Sequence, residues 1–141
     1  MKYVLDSSVG VKWVVVEALS DKARNLRDEF RKGLHQLLAP DIFPIEVGHA
    51  LTRAERQGRL TPPQSAVLLA DVLTTPPGFY PSLSLLSRAC EISSAMRVGI
   101  YDCLYVALAE QEKCDVLTAD DKLVKNLKPL FPFIRELASL P

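Results

Sequence analysis

The 141 residues suit one domain, and a hydrophobic content of 48% excludes a disordered chain. Lysine plus arginine and aspartate plus glutamate each total 17, so the net charge is zero at pH 7 and the composition does not mark a non-specific nucleic-acid binder. Three cysteines, an odd number with no C-x-x-C pair, argue against a disulfide framework or a thiolate zinc site.

No basic leader with a long apolar run precedes "KYVLD", and Lys12, Glu17 or Asp102 interrupts each long apolar run. The expectation is a cytoplasmic protein with no membrane span. Residues 2–5, "KYVL", read as a buried strand ending at Asp6. Ser7 and Ser8 are the caps expected at the start of the next helix. Residues 20–38 carry Ala23, Leu26, Phe30, Leu34 and Leu37 at helical spacing, which predicts one amphipathic surface helix broken by "APD" at 39–41. Another helix is expected over 42–58, with Pro44 in its first turn and Gly58 at its stop. The next runs over 62–74, capped at Thr61. "PPGFYP" reads as a turn with a short strand, and 82–99 as a helix ending at Gly99. "YDCLYVALAE", residues 101–110, reads as a helix apolar on most sides, anchored by Tyr101 and Tyr105. A strand over 114–118, a helix from about Asp120 and an edge strand in "FPFIREL" complete the chain. Short strands separated by helices predict an α/β fold: a central, mostly parallel β-sheet flanked by helices, in a single domain spanning 1–141.

Four carboxylates fall at related places in that pattern. Asp6 and Asp120 follow strands, and the C-terminal edge of a parallel sheet is where ligands bind. Glu46 and Asp102 lie in the first turns of helices whose N-termini point to the same edge. Singly, each has a structural explanation, as a helix cap, a complement to the helix dipole or a surface ion pair. Together they define a crevice of like charges that needs a cation. Hard oxygen donors without cysteine suit Mg²⁺ or Mn²⁺, held as one ion or a pair, and such a site hydrolyses phosphodiesters.

"YVLDSSVGVKW", "LAPDIFPIEVGHAL" and "VGIYDCLYVALAEQEKCDVLTADDKL" resemble, in order and spacing, a PIN domain, most closely a VapC-type toxin ribonuclease of toxin–antitoxin pairs. The resemblance implies a PIN-like fold, Mg²⁺-dependent endoribonuclease activity on RNA, a homodimer and inhibition by a cognate antitoxin. It implies Asp6, Glu46, Asp102 and Asp120 as the catalytic, metal-binding acids, with Ser8 and Thr118 supporting them. Spacing leaves open whether Asp120 or Asp121 faces the metal, although "TAD" aligns better with Asp120, and Asp121 is an auxiliary candidate. His49 stands where relatives often carry asparagine. Three residues after Glu46 it shares a helix face with it, and its alternatives are a neighbour of the metal crevice and a plain surface histidine. A di-iron reading of "EVGH" fails for want of a second E-x-x-H.

Lys12, Arg53, Arg97 and Lys122, with Arg56 and Lys125, are the candidate RNA contacts, each with solvated surface as its alternative. Trp13 and Tyr80 are candidates for base stacking, with core packing the expected role of Trp13. Two other functional readings are carried. One is a catalytically silent PIN-type module that binds RNA or antitoxin. The other is a haloacid-dehalogenase-type phosphatase, weakened because Ser8 stands where that mechanism needs a second aspartate.

Overall fold

Five short strands pair in the order β3-β2-β1-β4-β5, every pair parallel, in a computed structural model that describes all 141 residues. The strands are β1 (Lys2–Leu5), β2 (Gln36–Pro40), β3 (Gly78–Tyr80), β4 (Asp115–Thr118) and β5 (Ile134–Glu136). The helices are α1 (Ser7–Lys12), α2 (Ser20–Arg31), α3 (Phe43–Arg56), α4 (Gln64–Val72), α5 (Ser82–Met96), α6 (Ile100–Glu112) and α7 (Asp121–Leu127), followed by a 3₁₀ turn at Leu137–Ser139. β1 and β4 at the centre are continuous apolar runs because helices cover both faces of the sheet. Tyr3, Val4, Leu5, Val116 and Leu117 are all buried there. The predicted layer architecture is the observed one, with the sheet parallel throughout.

The expected helix over 20–38 is two elements. α2 stops at Arg31 because Gly33 adopts φ +77°, with its N–H on Phe30 O at 2.9 Å and the Leu34 N–H on Glu29 O at 2.9 Å. Those two bonds form a Schellman stop, which satisfies the last carbonyls and turns the chain. Gln36–Pro40 then forms β2, with Leu37, Leu38, Ala39 and Pro40 buried, so "AP" ends a strand instead of breaking a helix. Gly58, φ +76°, ends α3 in the same way. α5 ends earlier than expected, at Met96, with Arg97 in the left-handed region, and Gly99 is the N-cap of α6. α4 begins at Gln64, whose side chain reaches back to the Thr61 N–H at 2.7 Å.

α6 lies in the middle of the molecule. Every residue from Cys103 to Ala109 is buried, which explains why its sequence shows no polar stripe. Tyr105 is fully buried and anchors the helix as expected, whereas Tyr101 is 60% exposed and anchors nothing. α1 packs closely on α3: a Cβ at Gly10 would stand 2.7 Å from Phe43 Cζ. That approach draws the end of β1 towards the first turn of α3. No single helix is long and apolar enough to cross a membrane.

Candidate functional site

The C-terminal edge of the central strands carries the site. Asp6 follows β1, is 4% exposed and caps α1 through the Ser8 N–H at 3.3 Å. Neither Ser7, the first residue of α1, nor Ser8 is therefore the cap, and Ser8 supports it. Its hydroxyl donates to Asp6 Oδ2 at 2.5 Å, and the Thr118 hydroxyl at the end of β4 donates to the same oxygen at 3.0 Å. The Ala119 N–H donates to Ser8 Oγ and the Asp120 N–H to Thr118 Oγ1, each at 3.0 Å. Adjacent strands are thereby tied at the level of the acids, and Asp6 Oδ1 is left without a protein hydrogen bond.

Asp120 is the N-cap of α7, as its structural explanation requires. Its Oδ1 accepts from the N–H groups of Lys122 at 2.9 Å and Leu123 at 3.3 Å, which leaves Oδ2 unengaged. Glu46 lies in the first turn of α3 and accepts a hydrogen bond from the Tyr105 hydroxyl at 2.7 Å. Asp102, in the first turn of α6, is half-buried and accepts no protein hydrogen bond.

Each of the four acids lies close enough to at least one of the others for their charges to interact. Burial, then the charges of Asp6, Asp120 and Glu46, push the Asp102 carboxyl up to about 7. Burial raises Asp6 against the opposing bonds from Ser8 and Thr118, with the charge of Asp120 adding to the rise. Burial also raises Glu46, opposed by Tyr105 and reinforced by Asp6. Burial, with the charges of Asp6 and Glu46, lifts the Tyr105 phenol well above its usual range, so it stays a neutral donor. No lysine, arginine or histidine forms a salt bridge with any of the four acids. No group of three among the histidine, cysteine, aspartate and glutamate side chains is gathered tightly enough to hold a metal ion. The four acids are therefore set further apart than a closed coordination sphere requires.

The remaining candidates separate. Asp121 is exposed at the first residue of α7 and is not among the charges acting on Asp102, so Asp120 is the acid that faces the cluster. His49 is exposed on α3, and its ring bonds none of the four acids. Lys12 is tied to Glu17 Oε1 at 3.1 Å and to Ala18 O at 2.8 Å, so an anion that reaches it must displace Glu17. Arg53, Arg56, Lys122 and Lys125 are exposed on acid-bearing elements. Arg97 is exposed at the end of α5, which carries none of the four. Trp13 is core, 3% exposed with the Arg27 guanidinium 4.9 Å from its ring centroid. The Tyr80 hydroxyl is bound to Glu112 at 3.0 Å. Tyr105 is the site residue that sequence reasoning left in the core. Its position three residues after Asp102, on the same helix face, was the available signal.

The family model for the PIN domain matches residues 3–127. Ribonuclease VapC1 of Mycobacterium tuberculosis is 32% identical over 124 residues, covering 84% of this chain and 90% of that protein. Ribonuclease VapC3 of Pyrobaculum aerophilum is 29% identical over 136 residues, covering 92% and 98%. Two solved structures share the fold. PAE2754 from Pyrobaculum aerophilum has a TM-score of 0.70 at 21% identity, covering 99% of this chain and 85% of that one. VapBC2 from Rickettsia felis, bound to a DNA fragment from their promoter, has a TM-score of 0.65 at 15% identity, covering 96% and 97%. With its fold, its acid crevice and these relatives in agreement, the chain belongs to the PIN-domain family, in its VapC group.

Proposed function

We propose that this protein is an Mg²⁺-dependent endoribonuclease, with Mn²⁺ as a substitute, acting in the cytoplasm as the toxin of a toxin–antitoxin pair. The observation that carries the reading is the crevice itself. Four carboxylates from four separate elements lie near one another with no salt-bridged cation from the chain, and burial, reinforced by the charges of the other three, lifts Asp102 to about 7. An all-oxygen donor set of this kind fits a hard divalent ion, and Mg²⁺ retains several waters, so an open crevice suffices. Asp6, Glu46, Asp102 and Asp120 would hold it. When bound, such an ion supplies Lewis-acid polarisation of the phosphodiester and of an attacking water.

The chain's own groups prepare the site. Ser8 and Thr118 occupy Asp6 Oδ2 and leave Oδ1 without a protein partner. The Lys122 and Leu123 N–H groups do the same for Asp120 through Oδ1. Tyr105 restrains Glu46. Burial and the three neighbouring acids raise the Asp102 carboxyl to about 7, so its protonation would compete with a bound cation. The relatives named Ribonuclease VapC support RNA as substrate, and the VapBC2 assembly supports an antitoxin partner. The oligomer in this reading is a homodimer.

The test is cleavage of single-stranded RNA by wild type with Mg²⁺, by wild type in EDTA, and by Asp6→Asn with Mg²⁺. Cleavage is expected in the first reaction alone, and undiminished cleavage in either other reaction overturns the reading. A second reading, a silent module that binds RNA or antitoxin, is favoured by the absence of a tight trio of ligands. Mn²⁺ binding without cleavage across a broad RNA panel would select it.

A further inference from the structure

A cleft of about 230 Å³ opens beside the acid crevice, between α1, α3 and the end of β4. Ser8 and Ala119 form its near wall. Ser8 holds Asp6, and Ala119 lies between Thr118 and Asp120, so the cleft continues directly from the acids. Its floor is apolar: Val11, Val15, Ala50 and Ala54. Its rim is charged. Glu17 lies between Lys12, 3.1 Å away, and Arg59, 3.7 Å away.

We propose that this cleft is a subsite for the single nucleotide flanking the bond cleaved, with Lys12 and Arg59 taking its phosphate in place of Glu17. The volume lies below the roughly 300–1,000 Å³ of drug-sized pockets, so it has no room for a stacked run of nucleotides. An apolar floor beneath a cationic rim matches base and sugar below and phosphate above. The Glu17 carboxylate already stands where a phosphate would, bridging two cations that do not otherwise pair. Arg59 is half exposed and can exchange Glu17 for a phosphate without unfolding anything, while Lys12 stays anchored by Ala18 O. Zero net charge is then compatible with RNA recognition, because two basic groups stand together at the rim of the cleft. The preference implied is for single-stranded RNA, where a nucleotide is unstacked and free to enter.

The proposal rests on the ribonuclease reading, and its test separates the two. Alanine and valine methyl groups are labelled for NMR, and the metal-free protein is titrated with adenosine and uridine 5′-monophosphates. Shifts are expected at Val11, Val15, Ala50 and Ala54, weaker affinity in Arg59→Ala, and tighter affinity in Glu17→Gln. Binding of a fluorescent single-stranded oligonucleotide to the Asp102→Asn protein supplies the second reading. There Arg59→Ala should lower the slope of log affinity against log salt by about 0.7, the contribution of one phosphate contact on a single strand. Ala50→Leu, which fills the floor, should weaken both probes. Methyl shifts elsewhere, or nucleotide affinity unchanged in Arg59→Ala, overturn the subsite even if RNA is cleaved. Nucleotide binding at these methyls with no RNA cleavage supports the subsite and overturns the nuclease reading instead.

Discussion

The two ends of α6 each carry an acid, and both defy the helix dipole. An acid is favoured at a helix N-terminus and disfavoured at a C-terminus, by about 0.3–1 kcal/mol. Asp102, in the first turn, is nevertheless pushed up to about 7, while Glu112, at the last residue, is held below the usual carboxylate range. Neighbours account for both. Glu112 accepts from Lys2 Nζ at 3.1 Å, Tyr80 Oη at 3.0 Å and Gln111 Nε2 at 3.3 Å. Asp102 has no such donor and faces burial plus the charges of Asp6, Asp120 and Glu46. One end of the helix is charge-balanced within the chain. The other has no positive partner within the chain, which fits the proposed cation site.

The largest expected effect comes from breaking the unbalanced end. Asp102→Asn should lower RNA cleavage by more than about a hundredfold, the upper range for losing even a supporting residue of a metal site. The same substitution should raise the melting temperature of the metal-free protein by several degrees, because it removes one of four repelling charges. Cleavage rates and differential scanning calorimetry on one preparation check both signs. A loss of stability together with activity would mean that Asp102 is a structural carboxylate.

The pH dependence has a definite sign. The Asp102 carboxyl titrates at about 7 when folded and near 3.8 when unfolded. Between those values the folded state binds the extra proton, so stability falls as pH rises through this window. Asp6 and Glu46, also raised, act in the same direction. Metal-free protein should therefore melt higher at pH 5.5 than at pH 8. Mn²⁺ should restore the loss at pH 8, by about 2.7 kcal/mol at a hundredfold excess over its dissociation constant. Melting curves at the two pH values, with and without Mn²⁺, decide this. A metal-free protein more stable at pH 8 breaks the comparison.

Tyr105→Phe probes a smaller term. It keeps the ring and deletes the hydroxyl that restrains Glu46 at 2.7 Å. Supporting bonds of this kind are worth about tenfold to a hundredfold in metal affinity or activity. With Asp6 and Asp120 still tied by their own donors, about tenfold weaker Mn²⁺ binding is expected by calorimetry. Unchanged Mn²⁺ affinity would assign the Tyr105 hydroxyl to core satisfaction alone.

The neighbourhood of Asp6 and Asp120 was legible because β1 and β4 pair in parallel with Leu5 opposite Leu117, so acids placed after those strands fall at one edge. β2 was not legible. Leu34 and Leu37 continue the helical spacing of α2 by coincidence, and the decisive signal was Gly33, whose φ of +77° ends the helix. The Lys12–Glu17 pair was hidden because a loop fold-back of five residues has no periodicity to read. The Tyr105–Glu46 bond spans 59 positions, and only the tertiary arrangement that brings α6 beside the first turn of α3 creates it. Local pattern thus revealed which residues carry charge at the edge, while the partners that tune them came from chain-distant packing.

The smallest expected effect comes from the balanced end, and it sharpens the contrast most. Glu112→Gln keeps the size of the side chain and leaves an oxygen for Lys2 and Tyr80 to bond, but removes the charge. Because Lys2 and Glu112 are partly solvated, the pair contributes little and salt screens it. The melting temperature should fall slightly at low ionic strength and match wild type in 1 M salt. Mn²⁺ affinity, RNA cleavage and the difference in melting temperature between pH 5.5 and pH 8 should not move, since none of the four crevice acids touches Glu112. If Glu112→Gln instead changed Mn²⁺ affinity, the two ends of α6 would be coupled through the helix. The charge state of the crevice would then be a property of the whole element, and not of the neighbours of Asp102.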